Sequence, residues 1–146
     1  MLTVSKAARS VWLMPLAACE LRIVCAAMLD AAGASGTGRT GTGRAGACVD
    51  LALLDDAGME ALHVKHFGCP GPTNILAFPD PTRRSLGHLA LSVDTLDREC
   101  FLYGQEPQEH CVRLLAHGLA HLLGHDHGPA MSALAERMER AGLHLP

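Results

Sequence analysis

The chain has 146 residues and a formal net charge of −3, and 49% of its residues are hydrophobic but only 3% are aromatic. This length and composition suit a single domain with a core of aliphatic side chains. Because the net charge is negative, the chain as a whole does not attract nucleic acid electrostatically. Any RNA contact therefore has to come from a local surface.

Six cysteines are spread through the chain without a CxxC pair or a zinc-finger spacing. Several stand within apolar runs, where cysteine behaves as a small hydrophobic residue. The first residues lack the apolar core and cleavage site of a signal peptide, and no apolar stretch has membrane-spanning length. We therefore expect a cytoplasmic protein with reduced cysteines.

The spacing of apolar residues predicts the first elements in chain order. A short strand is expected near Leu2–Val4, followed by an apolar patch at Val11–Met14. Pro15 favours the first turn of a helix, and apolar spacing extends that helix over Leu16–Ala32. Residues 33–46 are rich in Gly, Ser, Thr and Arg, which predicts a flexible loop.

The rest of the chain alternates between strand and helix patterns. Strands are predicted at 47–54, 73–79 and 86–93, and helices at 57–66, 94–103, 109–123 and 132–141. Asp55 and Asp56 fit the start of the helix at 57–66, and Ser132 is the predicted N-cap of the last helix. The order predicts an α+β fold: a single small mixed sheet of about four strands, covered by helices on one side.

Three histidines on and after the long helix at 109–123 have the spacing of a metal site, in the run HGLAHLLGHDH. His117 and His121 are four residues apart, so both imidazoles lie on one face of a helix. Gly124 suits a helix end at which the chain bends back, and His127 then returns as a third ligand. Three neutral imidazoles leave a fourth position open for water, which is typical of a catalytic zinc. The pattern predicts one zinc ion, although another divalent transition metal would also suit imidazole ligands.

Neighbouring residues leave some assignments open. His125 could replace His127 as the third ligand, although it follows the glycine directly. Asp126 could accept a ring N–H from a ligand histidine or cap a turn. The HxxxHxxGxxH spacing is that of metzincin peptidases, but Gly118 stands where those enzymes carry the glutamate that acts as general base.

Three segments together resemble the YbeY family of bacterial rRNA maturation factors. The family metal motif HGxLHLxGxDH is similar to residues 117–127. The family segment PT[DN]VLSFP is similar to PTNILAFP at 72–79, and GDIxIS.DT is similar to GHLALSVDT at 87–95. The likeness covers roughly residues 47–128.

The resemblance implies one YbeY-like metal-dependent hydrolase domain over residues 1–146. Its expected activity is that of a zinc-dependent endoribonuclease in small-subunit rRNA 3′-end maturation and ribosome quality control. By position, His117, His121 and His127 become the metal ligands. The expected partners are RNA and the small ribosomal subunit, and neither DNA nor a membrane is expected. Family members usually carry an arginine just before the PT[DN] segment, where this chain has Phe67.

The predicted chemistry is metal-assisted hydrolysis of a phosphodiester, with metal-activated water as the nucleophile and a cation holding the phosphate. Candidates for that cation are Lys65, His66, Arg83 and Arg84. Thr73 and Asn74 could bond a phosphate or a ribose hydroxyl, or could only cap their strand.

Two other functions remain open from the sequence. One is a metzincin-like zinc hydrolase that acts on another substrate, which the histidine spacing favours. The other is a non-catalytic ribosome-assembly factor whose metal holds the fold together. The loss of the family arginine favours this second alternative.

Overall fold

The computed structural model describes residues 1–34 and 48–144, so most of the predicted loop at 33–46 lies outside the described residues. A 3₁₀ turn at Val11–Leu13 follows the first strand. The strands and helices of the described part are β1 Leu2–Lys6, α1 Ala18–Ala31, β2 Val49–Leu54, α2 Asp56–Phe67, β3 Ile75–Pro79, β4 Gly87–Ser92, α3 Val93–Tyr103, α4 Pro107–Leu122 and α5 Pro129–Leu143. The predicted α+β class is confirmed.

The four strands form one mixed sheet in the order β1-β2-β4-β3. β2 pairs in parallel with β1 and β4, whereas β3 pairs with β4 in antiparallel fashion. Side chains alternate between the two faces of a strand. One face carries the buried residues Leu51, Leu53, Leu89 and Leu91, which join the main hydrophobic core with α1, α4 and α5. β3 is an edge strand, with β4 on one side only.

Helix α2 contacts the second face of the sheet. Leu54 and Phe78 belong to that face because they alternate with core residues. Gly58 of α2 approaches Leu54, the Phe67 ring lies 6.3 Å from the Phe78 ring, and Met59 is fully buried. Helices therefore contact both faces, and the expectation of cover on one side is wrong. No helix in the described ranges has the length and apolar character needed to cross a bilayer.

Three predicted helix starts are wrong by two or three residues, and one of them is that of α4, which begins at Pro107 rather than at residue 109. α1 begins at Ala18 rather than beside Pro15, and residues 15 and 16 form a bend before it. α5 begins at Pro129, with Gly128 as its N-cap, so Ser132 lies inside the helix. Proline suits the first helical position because its fixed φ is helical and its missing N–H is not needed there. The Ser132 hydroxyl instead donates to the Gly128 carbonyl at 3.1 Å.

A polar network joins α2 to α3 where β4 ends. The Asp56 carboxylate accepts hydrogen bonds from Ser92 at 2.8 Å, Thr95 at 2.7 Å and Arg98 at 2.8 Å. The Asp56 N–H donates to the Asp94 carboxylate at 2.9 Å. Burial raises the pKa of Asp56, but the three donors outweigh burial, so the pKa lies below its ordinary value.

Replacing Asp56 with asparagine should lower the free energy of unfolding by about 1–3 kcal/mol at neutral pH, because a charged acceptor is lost. A carboxylate whose pKa is lowered by folding stabilises the fold above its unfolded pKa, and this contribution fades as the pH falls through the folded pKa. Denaturant titrations from neutral to acidic pH should therefore show a shrinking difference between the two proteins. Asp97→Asn removes an exposed carboxylate and serves as the control. A difference that stays constant on acidification would contradict the role given to Asp56.

Candidate metal centre and cleft

Helix α4 positions the first two histidines of the site. Pro107 stands in its first turn, and the Glu106 carboxylate caps it by accepting the Glu109 N–H at 2.8 Å. His117 and His121 follow on one face, both partly buried, with their Nε2 atoms 3.2 Å apart. At that distance the two rings can share a hydrogen bond or a common ion.

The turn after α4 brings the third histidine to the other two. Gly124 has a φ of 90°, a left-handed conformation that favours glycine, and its N–H donates to the His121 carbonyl at 2.9 Å. The chain then bends back, so the His127 ring centroid lies 4.8 Å from that of His121 and 5.5 Å from that of His117. The predicted return of His127 to the helix face is what the structure shows.

The three imidazoles fit a metal ion. One nitrogen from each lies within 4.8 Å of the other two. The 3.2 Å between the first two nitrogens is close to the roughly 3.3 Å expected for two ligands of a tetrahedral zinc. Burial lowers the pKa of His117, and the neighbouring His121 and His127 lower it further. His117 is therefore mainly neutral at neutral pH, which is the form that binds metal.

His127, not His125, belongs to this group. His125 lines the cleft beside the group, while its backbone N–H donates to the Ala120 carbonyl at 3.1 Å. Asp126 also lines the cleft and is exposed. Across the described residues its carboxylate accepts no hydrogen bond from a ring N–H or a turn N–H, so neither role predicted for it is present.

The histidines stand in a cleft of about 580 Å³. One wall consists of α4 and the turn after it. The opposite wall is formed by residues 73–77 and Pro79, which are β3 and the segment before it, and Phe67 at the end of α2 also lines the space. The exposed edge of the sheet therefore runs beside the candidate metal centre.

Gly118 lets α4 approach the sheet closely. A Cβ at this position would lie 2.8 Å from Ile75 Cδ1 and 2.9 Å from Leu89 Cδ2, far inside the usual separation of carbon atoms. Any side chain at position 118 would point at these two buried residues. The close approach of α4 to the sheet therefore favours glycine after the first histidine, since any larger residue requires the Ile75 and Leu89 side chains to shift.

A hydrogen-bonded network behind the cleft was not predicted. The Glu99 carboxylate accepts from Asn74 Nδ2 at 3.2 Å and bonds to His110 Nε2 at 2.7 Å. Asn74 Oδ1 in turn accepts the Ile75 N–H at 2.7 Å. Within the described ranges, His110 Nδ1 is buried without a partner. Glu99 is 25 residues from Asn74 and 11 from His110, and no motif spacing signals such a contact.

The predicted phosphate-binding cations lie outside the described cleft wall. All four are exposed: Lys65, His66, Arg83 and Arg84. The His66 ring packs against Phe78 with a centroid distance of 4.9 Å. Phe67, the last residue of α2, lines the cleft. That one of the four cations holds phosphate stays a prediction.

These features define a class: an α+β protein with three histidines from one helix and its following turn, set beside an edge strand. The same fold occurs in the solution structure of a Thermotoga maritima protein, with a TM-score of 0.65 over 97% of this chain and 89% of that chain. The sequence identity is 14%, so this likeness shows the fold alone.

Sequence comparisons identify the family. The family model described as Endoribonuclease YbeY matches residues 26–143. A Nitratidesulfovibrio vulgaris protein named Endoribonuclease YbeY is 40% identical over 97% of this chain and 94% of its own length. An Oleidesulfovibrio alaskensis protein of the same name is 39% identical over 85% and 82%. The chain belongs to the YbeY family, and the resemblance seen in three motifs is confirmed.

Proposed function

We propose that this protein is a zinc-dependent endoribonuclease that hydrolyses phosphodiester bonds in RNA. The observation that carries the proposal is the convergence of three histidine nitrogens in a cleft, in a chain that belongs to an endoribonuclease family. We propose further that it acts in the cytoplasm, as one hydrolase domain, in small-subunit rRNA 3′-end maturation and ribosome quality control. Family membership supports this finer assignment.

In the proposed site His117, His121 and His127 hold the ion. When bound, zinc supplies a Lewis acid that stabilises negative charge on the phosphate and lowers the pKa of water to about 7. The backbone positions the three ligands. Helix α4 holds two imidazoles one turn apart, and the turn at Gly124 brings the third imidazole back beside them. The wall formed by β3 gives a bound RNA strand a surface beside these histidines.

The test is cleavage of labelled precursor small-subunit rRNA by the zinc-loaded protein, the chelated protein and His121→Ala, all purified in parallel. We expect cleavage by the zinc-loaded protein alone, because the other two samples lack a complete metal centre. Equal cleavage by all three samples would overturn the proposal and point to a contaminating nuclease. The absence of cleavage by fully zinc-loaded protein would also overturn it.

Removal of the metal should leave the fold intact. The main hydrophobic core contains none of the three site histidines, and His127 is exposed. We therefore expect unchanged far-ultraviolet circular dichroism after chelation, with a lower melting temperature only because ligand binding to the folded state is lost. Unfolding of the chelated protein would instead favour an assembly factor with a structural metal.

A further inference from the structure

The free edge of β3 presents backbone groups to the cleft. The Ser92 N–H donates to the Asn74 carbonyl at 2.9 Å, and the Asp80 N–H donates to the Leu86 carbonyl at 3.1 Å. In an antiparallel ladder, alternate residues of a strand bond to the neighbouring strand. The even-numbered residues of β3 therefore face β4, and the polar backbone groups of Ile75, Ala77 and Pro79 point away from it.

Two of the three outward positions offer no donor. The Ile75 N–H is already bonded to Asn74 Oδ1 at 2.7 Å, and Pro79 has no N–H. Ala77, which is partly buried in the cleft wall, keeps both groups without a partner among the described residues. The edge thus carries one free N–H, that of Ala77, with the carbonyls of all three residues as acceptors.

This pattern fits a nucleobase better than a peptide strand. An added strand needs alternating donors and acceptors along the edge, and here the donors on both sides of Ala77 are lacking. A base needs only one adjacent pair, since each RNA base carries a neighbouring donor and acceptor on its Watson–Crick edge. The N–H and C=O of Ala77 point to the same side and supply that pair.

We propose that the edge of β3 binds one unpaired base of the RNA substrate, with the Ala77 N–H donating to the base and the Ala77 carbonyl accepting from it. The inference rests on the proposed function and names a substrate contact of that same cleft. Because all four bases offer a donor and acceptor pair, the contact selects for an unpaired base rather than for one sequence.

The test combines Ala77→Pro with substrates that lack one base. Proline removes the outward N–H without removing a bond to β4, and Pro79 shows that the strand already holds a proline at an outward position. Ala77→Gly keeps the N–H and is the matched control. Each protein is assayed with a series of single-stranded oligoribonucleotides. Each member of the series lacks the base at one position, and that position differs from member to member.

For the wild-type protein and Ala77→Gly, loss of one particular base near the cleaved bond should lower kcat/KM by about fivefold to tenfold, the effect of one lost hydrogen-bonded contact. For Ala77→Pro, the same substrate change should lower kcat/KM by only about twofold to threefold, because the N–H bond is already absent and only the bond to the residue 77 carbonyl remains to be lost. The inference would be overturned if loss of the base lowered kcat/KM equally in all three proteins, or if loss of the base at no position lowered kcat/KM. Failure of the wild-type protein to cleave any RNA would instead count against the proposed function.

A second measurement covers the case in which Ala77→Pro does not fold or loses zinc. The wild-type Ala77 amide is followed by nuclear magnetic resonance during titration with an oligonucleotide in which a non-hydrolysable methylenephosphonate replaces the scissile phosphodiester. A downfield shift of this amide proton, absent with the oligonucleotide that lacks the contacted base, supports the contact. An unmoved Ala77 amide at saturation overturns it.

Discussion

Replacing His121 with alanine should abolish RNA cleavage and weaken zinc binding by more than about 100-fold, since even residues that only support a ligand change affinity by 10–100-fold. His121 is the central member of the group, because its ring lies 4.8 Å from those of both His117 and His127. Zinc content by mass spectrometry and competition with a chromophoric chelator would measure the loss. Circular dichroism should show an intact fold, because His121 is outside the hydrophobic core.

His125→Ala is the matched control for that experiment. His125 lines the same cleft and follows the same turn, but it is not one of the three converging residues. We expect the variant to retain zinc, whereas His127→Ala should lose it. If His125→Ala lost zinc and His127→Ala kept it, the third ligand would be His125, and the geometry of the turn would differ from that described.

The metal group was predictable because its members are close in sequence. Residues four apart in a helix lie on the same face, so the sequence alone places His117 and His121 together. Gly124 marked the helix end, since a φ of 90° is favourable for glycine and costly for other residues. Local rules of this kind also gave the α+β class and the Asp55 cap, whose carboxylate accepts the Gly58 N–H at 2.9 Å.

The cleft wall was not predictable in the same way. Its edge strand depends on the strand order β1-β2-β4-β3, in which β3 is outermost although it precedes β4 in the chain. The bond from Asn74 to Glu99 joins residues that only the tertiary fold brings together. The positions of Lys65 and His66 likewise depend on how α2 lies on the second face of the sheet. Sequence spacing contains no information on such contacts.

Replacing Gly118 with glutamate should lower the free energy of unfolding by about 4 kcal/mol or more, because the side chain enters a packed apolar contact and carries a charge. The Ile75 and Leu89 methyl groups lie 2.8 and 2.9 Å from an ideal Cβ, so both side chains have to shift to accommodate the glutamate. Denaturant titration would measure the loss. The same variant carries the glutamate of a metzincin peptidase at the matching motif position, so it also tests the peptidase alternative by digestion of a peptide library.

The Gly118→Ala variant separates the effect of added side-chain volume on stability from the effect of the added charge. Relative to glycine, alanine stabilises the helix by about 1 kcal/mol, whereas overpacking destabilises the fold by about 1–3 kcal/mol. The free energy of unfolding should therefore fall by less than about 2 kcal/mol. A stable Gly118→Glu variant that cleaves peptides would show that the cleft accepts a general base at this position. A destabilised variant without peptidase activity would show that α4 approaches the sheet too closely for one. The glycine after His117 would then exclude the peptidase mechanism through the packing of the fold itself.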